Sequence, residues 1–460
     1  MLVSAVLAAF MLFLAISVQA QSRGGSGGGG QRGGEVKDPG PREGNVGAGD
    51  FFAGLSAAQL AQAVDGQGRF GETENFGGGL GPMYNSGPTG ACLECHSQPA
   101  PGGSSPNVNA YPYIGPNPQA TADYNAAGAT NYIPSFITAN GPVREARFVK
   151  FANGTPDGGV HDLFTVTGSS GASTCTLAQP NFAQAIEQGN ITYRIPLPVY
   201  GDGLIENIDD ATILANQAAN AAAKQALGIS GFPNRNGNTG TISRFGWKAQ
   251  NTSLLLFAGE AYSVEVGVSN ELFGIKRPEP GNILPAGCKI TATPDDISNP
   301  QLSGPPVNSD ITAFAAFMRM LAPPTPATPT PSAIQGQQMF NLVGCVMCHT
   351  QTLMTAQSTE AAALNSVPAN LFSDLLVHNM GQGLADGVTQ GQADGFHFRT
   401  TPLWGVGQRV FFLHDGRTSD LMQAILAHQS QGSEANQVIH NFNRLQPFEQ
   451  QAILDFLRSL

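Results

Sequence analysis

The amino-acid sequence predicts a mainly α fold in which one small helical module occurs twice, unequally, with long irregular loops and a few short strands in an insertion of the first copy. Three observations predict this. The pattern Cys-x-x-Cys-His occurs at Cys92–His96 (CLECH) and again at Cys345–His349 (CVMCH). Each leads to an amphipathic helix, after about 210 residues in the first case and about 100 in the second. Between them lies APPTPATPTP, Ala322–Pro331, whose closely spaced prolines favour an extended, semi-rigid connector.

The N-terminus comes first. MLVSAVLAAFMLFLAISVQA is an uncharged apolar run ending Val18-Gln19-Ala20, small residues where a signal peptidase needs them, so residues 1–20 read as a signal peptide cleaved after Ala20. Export to the periplasm or the exterior follows. The run lacks Lys and Arg, which leaves an uncleaved membrane anchor as the alternative. SRGGSGGGGQRGG costs too much backbone entropy to order, making 21–49 a flexible tether.

Residues 50–322 are the first module with its large insertion. Within the insertion, ITYRIPLPVYG (Ile191–Gly201) reads as short strands or extended loops. The module closes on a helix capped by Asn308-Ser309-Asp310, with Ile311, Phe314, Met318 and Leu321 at helical spacing and Pro323 ending it. Residues 323–332 are the linker. Residues 333–460 are the second module, whose last helix starts at Pro447 and shows Phe448, Ala452, Phe456 and Leu460 on one face. Composition excludes one partner class: only 12% of residues are charged and acids outnumber bases 33 to 22, leaving no basic footprint for nucleic acid.

Two thiols three residues apart lie within one helical turn, where both can add across the vinyl groups of a haem, and the histidine that follows can ligate iron. The cofactor expectation is two covalently bound haem c groups. It rests on Cys92, Cys95, Cys345 and Cys348 for attachment and on His96 and His349 as iron ligands. The fold then reads as two cytochrome c-like haem domains. A four-cysteine zinc site would leave both histidines without a purpose and need pairing across the proline hinge. A thioredoxin-like thiol pair needs a strand leading into each motif, whereas Cys92 follows FGGGLGPMYNSGPTG and Cys345 follows the helix-like AIQGQQMFNLVG. The remaining cysteines, Cys175 and Cys288, are an even remainder in an exported chain. A disulfide between them closes about 110 residues and contributes up to about 4 to 5 kcal/mol in the chain-entropy model.

The motif gives each iron one axial ligand, so what stands opposite decides the chemistry. His428 is the candidate at the second haem. It lies in TSDLMQAILAH, where Thr418 can cap a helix and Leu421, Ile425 and His428 share a face; a buried structural histidine is the alternative.

FRTTPLWGVGQRVFFLHDGRTSDLMQAILAH (Phe398–His428), SRFGWKAQ (Ser243–Gln250) and GLGPMYNSGPTGACLECH together resemble the bacterial di-haem oxidoreductase family of peroxidases and thiol oxidoreductases. That family is similar to di-haem cytochrome c peroxidases, the methylamine-utilisation di-haem enzyme and di-haem rubber oxygenases. The likeness covers most of residues 50–460. It implies His428 as distal ligand of a six-coordinate second haem, Trp247 between the haems, and Tyr262 and Glu265 near the distal face of the first. Tyr262 stands where the family often has Phe, and a phenol there can donate to bound oxygen or ligate iron. Glu265 is the expected proton-handling group, a surface glutamate being the alternative. His378 and His414 match recurrent positions and are expected to pack around the site. His161 is expected as a solvent-exposed turn residue, although it could approach the first haem. Arg399 and Arg417 have the fork geometry that suits haem propionates. The relatives also imply one calcium ion held by backbone carbonyls.

The implied function is peroxidase-like. A small oxidant, hydrogen peroxide or O₂, meets the first haem, and electrons arrive from a small cytochrome or cupredoxin through the second. A rubber-oxygenase-like reaction at the same open haem, and a pure electron-transfer cytochrome with both irons closed, are the alternatives.

Overall fold

In a computed structural model, residues 35–460 are described except 45, 75–79, 86–89, 106–116, 122–131, 166–173, 275–279, 282, 289–308 and 359–360. The leader and the glycine-rich stretch to Gly34 lie outside the described residues. From Val36 to Leu460 the chain forms one compact unit. The fold is mixed rather than mainly α: about 34% is helical. Strands of two to four residues and long irregular segments make up much of the rest. No helix among the described residues is long and apolar enough to cross a membrane.

One packing device occurs twice. Helix α1 (Ala57–Phe70) crosses α2 (Asp310–Met320), and helix α3 (Pro331–Val343) crosses α4 (Pro447–Ser459). Both crossings are glycine-mediated. A Cβ at Gly66 would strike the Ala313 carbonyl and one at Gly336 the Ala452 carbonyl, so only glycine lets the backbones approach this closely. Four residues after each glycine a phenylalanine packs at an angle on another four residues after the alanine: Phe70 on Phe317 at 5.0 Å and Phe340 edge-on to Phe456 at 5.5 Å between centroids. The same phenylalanines reach the motif histidines, Phe70 to His96 at 5.9 Å and Phe340 to His349 at 6.1 Å. Each pair thus carries one Cys-x-x-Cys-His turn against its crossing.

Local signals explain the helix ends. Ser56 and Gln59 form a reciprocal capping box at α1, Thr330 caps α3 ahead of Pro331, and Gly344 (φ 106°) ends α3 one residue before Cys345. The short helix Leu421–Leu426 is capped by Asp420 rather than by the expected Thr418, whose hydroxyl instead accepts from Asp420 N–H. Asp420 wins because its carboxylate reaches the Gln423 N–H at 3.1 Å.

The insertion contributes an antiparallel three-stranded sheet with Glu145–Phe148 between Val160–His161 and Ile191–Arg194. Glu145 and Arg147 lie two residues apart on one face and form a 2.8 Å ion pair. Cys175 and Cys288 stand at bonding distance across 113 residues.

The expected tether and hinge are both tied down. Asp38 meets Arg458 through two contacts of 2.7 and 2.6 Å and accepts the Leu421 N–H, while Arg42 donates to the Leu460 carbonyl. Residues 36–49 are therefore a strap on the body, because charge-assisted pairs offset the ordering entropy that composition alone predicts. The proline-rich segment lies under this strap: Thr325 N–H donates to Val46 O and Ala327 N–H to Ser459 O.

Candidate functional site

Each Cys-x-x-Cys-His forms a single tight turn with the same hydrogen bonds. In both, the histidine N–H donates to the first cysteine's carbonyl at 2.9 Å, and the second cysteine's N–H does so at 3.1 Å (Cys95) or 3.3 Å (Cys348). Both thiols therefore project from one side of a turn. Each turn forms one wall of a large cavity, about 1220 Å³ of space at Cys92–His96 and about 1450 Å³ at Cys345–His349, mouths included.

The histidines are held for one purpose. His96 Nδ1–H donates to Gly103 O at 3.0 Å, His349 Nδ1–H to Phe372 O at 2.9 Å and His428 Nδ1–H to Ala424 O at 2.8 Å. A carbonyl only accepts, so each ring carries its proton on Nδ1 and leaves the Nε2 lone pair for a metal. Burial pushes His96 and His349 down to about 4 and lowers His428, keeping the rings neutral. His349 and His428 line the same second cavity, and His428 disfavours charge on His349. Among the described residues, no second histidine lines the first cavity.

The backbone that orients His349 is unusual. Phe372 (φ 50°) and Leu375 (φ 61°) are left-handed non-glycine residues, at about 1 to 3 kcal/mol each. The stretch is pinned by Phe372 N–H to Gln351 O, Ser373 N–H to Thr350 O and Asp374 N–H to Cys348 O.

In the first cavity the helix Leu254–Ala261 ends in a π-helical turn, Tyr262–Val266, of the kind that often marks functional positions. It brings Glu265 to the cavity wall. Burial, then the charges of Glu145 and Glu260, push the Glu265 carboxyl up to about 8, with Arg147 pulling the other way. It is protonated at neutral pH. The insertion sheet supplies Arg147 and Arg194 to the same wall.

Trp247 lines both cavities. Its indole N–H donates to Ile195 O at 2.9 Å, Ile195 N–H donates to His414 O at 2.8 Å, and Arg409 stands 5.7 Å from the ring centre.

The residues fit a haem in each cavity. Beyond the cysteines and open Nε2 atoms, buried guanidinium atoms lack a partner: Arg399 Nε and Arg409 Nη2 in the second cavity and Arg194 Nε in the first. Burial lowers Arg399 and Arg409 to about 10. A buried guanidinium N–H without an acceptor is costly, even where, as for Arg194 with Asp386 at 2.8 Å, the charge itself is paired, and the propionates of a haem would supply the missing acceptors.

A family model described as "Di-haem oxidoreductase, putative peroxidase" matches residues 145–460. The chain belongs to the di-haem oxidoreductase family. Among solved structures it is similar to Kuenenia stuttgartiensis hydrazine synthase, at 15% identity and a TM-score of 0.29 over 58% of this chain and 73% of that one. It is similar to the diheme peroxidase BthA from Burkholderia thailandensis, at 17% and 0.29 over 47% and 65%. It is also similar to a MauG-like protein associated with microbial copper homeostasis, at 16% and 0.29 over 57% and 89%. No curated protein matches.

Several residues of this di-haem oxidoreductase stand differently from expectation. Tyr262 lines the first cavity, but its hydroxyl donates to Glu74 at 2.8 Å and Asp310 at 3.2 Å, which commits the phenol to two carboxylates instead of to bound oxygen or iron. Arg417 lines neither cavity. It is bound to Asp415 at 2.8 to 3.0 Å and to Gly383 O, because its nearest acid lies two residues away. His161 is buried instead of exposed, stacked 3.8 Å from Phe148 and bound to Asp157 at 2.9 Å, and it lines neither cavity. His414 lines the second cavity, stacked 4.4 Å from Phe398. Sequence reading missed Arg409, Arg194 and Glu145. The only hint was an arginine inside the apolar GVGQRVFF.

Proposed function

We propose that this family member is an exported di-haem peroxidase-like enzyme with haem c attached at Cys92/Cys95 and Cys345/Cys348, reducing hydrogen peroxide at the first site with electrons that enter at the second. The observation that carries this reading is the asymmetry of the cavities: an imidazole pair, His349 and His428, lines the second, whereas a protonated carboxyl, Glu265, lines the first.

A haem held by Cys92, Cys95 and His96 would supply the redox chemistry that reduces peroxide. Glu265 gives its proton to the peroxide oxygen that leaves as water and is reloaded from solvent, so two protons and two electrons convert one peroxide to two waters. Arg194 anchors a propionate at the first site, as Arg399 and Arg409 do at the second. His428 would hold the second iron together with His349, which would reserve that site for electron storage. Trp247, in the wall of both cavities, carries the electrons, its N–H held by Ile195 O. The donor is a small cytochrome or cupredoxin, and the protein works in the periplasm or outside the cell after its leader is removed.

Electron paramagnetic resonance on the oxidised holoprotein, followed by rapid mixing of the reduced form with peroxide, tests the reading. One high-spin and one low-spin haem are expected, with peroxide changing only the former first. Two low-spin haems unresponsive to peroxide would leave an electron-transfer cytochrome.

A further inference from the structure

Beside Cys348 lies a group of three hydrogen-bonded charged side chains. Both ring nitrogens of His378 face carboxylates, Nδ1 to Glu434 Oε2 at 2.8 Å and Nε2 to Asp374 Oδ2 at 2.9 Å, and the ring stands 3.7 Å from Cys348 Sγ. Carboxylates accept and do not donate, so both nitrogens carry protons and the ring is an imidazolium. Glu434 is fixed as an anion by three backbone N–H groups, those of Ser230, Gly231 and Asn379. Asp374 accepts the Leu376 N–H at 3.0 Å. Two anions and one cation leave a net charge of −1. The ring packs so closely on Gly231 that a Cβ there would strike it.

These charges sit on the left-handed stretch that orients the iron-ligating histidine: Phe372 O accepts from His349, and Asp374 is two residues on. The fields of Asp374 and His378 both reach His349, in opposite senses. At the first site the corresponding acceptor, Gly103 O, lies in the turn Gln98–Ser104, where Gly102 supplies the positive φ (88°) without strain. His96 feels burial and backbone carbonyls. The second site therefore holds its ligand on a strained backbone that also carries fixed charge, and the first does not.

We propose that Asp374, His378 and Glu434 are positioning residues that set the reduction potential of the second haem. A net negative charge beside a buried redox centre disfavours the added electron, which lowers the potential and makes that site the better reductant toward the first. The cations in the same cavity, Arg399 and Arg409, are answered by propionates and leave this charge as the net bias. The inference rests on the proposed haem at Cys345–His349.

The test is spectroelectrochemical titration of the full-length holoprotein, each haem followed at its own spin-state signal. Glu434→Gln keeps the shape and removes one negative charge; the second haem should become at least tenfold easier to reduce, about 59 mV for a one-electron couple, with the first unmoved. His378→Gln removes the positive charge and should shift the second haem the other way. Opposite signs exclude a merely structural loosening, which would move both variants alike. No shift at the second haem, equal shifts at both haems, or the same sign in both variants overturns the inference. A wild-type protein without a low-spin second haem would instead sink the cofactor assignment beneath it, and that is read before any variant is compared.

Discussion

The two cavities begin alike and end differently. Each is entered by the same turn, backed by the same glycine-mediated crossing and the same phenylalanine, and each holds its motif histidine with Nε2 free. Across the cavity the likeness stops. The second is faced by His428, from the loop after the short helix Leu421–Leu426; the first is faced by Glu265, from a π-helical turn, with Glu145, Arg147 and Arg194 from the insertion sheet behind it. On the proposed reading, the shared turn attaches a haem at each site, and the group each cavity sets against it, His428 or Glu265, separates electron storage from peroxide chemistry.

The largest expected break in this comparison comes from Glu265→Gln. Removing the proton donor should lower peroxide turnover by about 10² to 10⁴, with the low-spin spectrum of the second site unchanged. The pH profile sharpens the same point. The carboxyl is held up near 8 and acts as an acid, so activity is retained below that pH and falls as pH rises through it. The glutamine variant should lack that limb, as steady-state rates across pH 6 to 10 would show. An unchanged rate in the variant would remove Glu265 from the mechanism.

His428→Ala should make the second cavity resemble the first. Resonance spectra are expected to show a second high-spin haem, and added imidazole should restore the low-spin signal. A low-spin second haem in the variant would mean that another side chain closes the iron.

Much of this architecture was legible because it is local. The doubled motif, the helix start at Pro447 and the Cys175–Cys288 pair depend on residues close in sequence or on simple parity, whereas Pro331, read as the end of an extended linker, instead opens α3 because Thr330 caps it. The tether was misjudged past Val36 because what holds it, Arg458 on Asp38, comes from 420 positions away. Arg417 was misassigned for the converse reason, since an arginine beside its own aspartate has no need of a distant propionate. Arg409 carried little local signal beyond its place in the apolar GVGQRVFF; its importance lies in burial without an acid partner, which only the fold creates.

That contrast between arginines is testable. Arg409→Gln should weaken retention of the second haem and destabilise the holoprotein by about 1.5 to 3 kcal/mol, the range for a charge-assisted hydrogen bond. Arg417→Gln should change stability by no more than about 0.5 kcal/mol. Thermal denaturation of the two holoproteins side by side measures the difference, and equal effects would place the propionates elsewhere.

The smallest expected effect on turnover belongs to Tyr262. Its hydroxyl is spent on Glu74 and Asp310, and its ring packs edge-on against Phe314 of α2 at 5.1 Å. Tyr262→Phe keeps the ring and should cost about 1 kcal/mol of stability, a typical net hydrogen bond, with peroxide turnover within about twofold of wild type. The carboxylates lose one donor between them, yet Asp310 keeps Arg69 at 2.6 Å, which limits the damage. A collapse of turnover without loss of stability would mean that the phenol turns toward the substrate during catalysis, and the division between a sealed and a reactive cavity would then involve two donors on the π-helical turn.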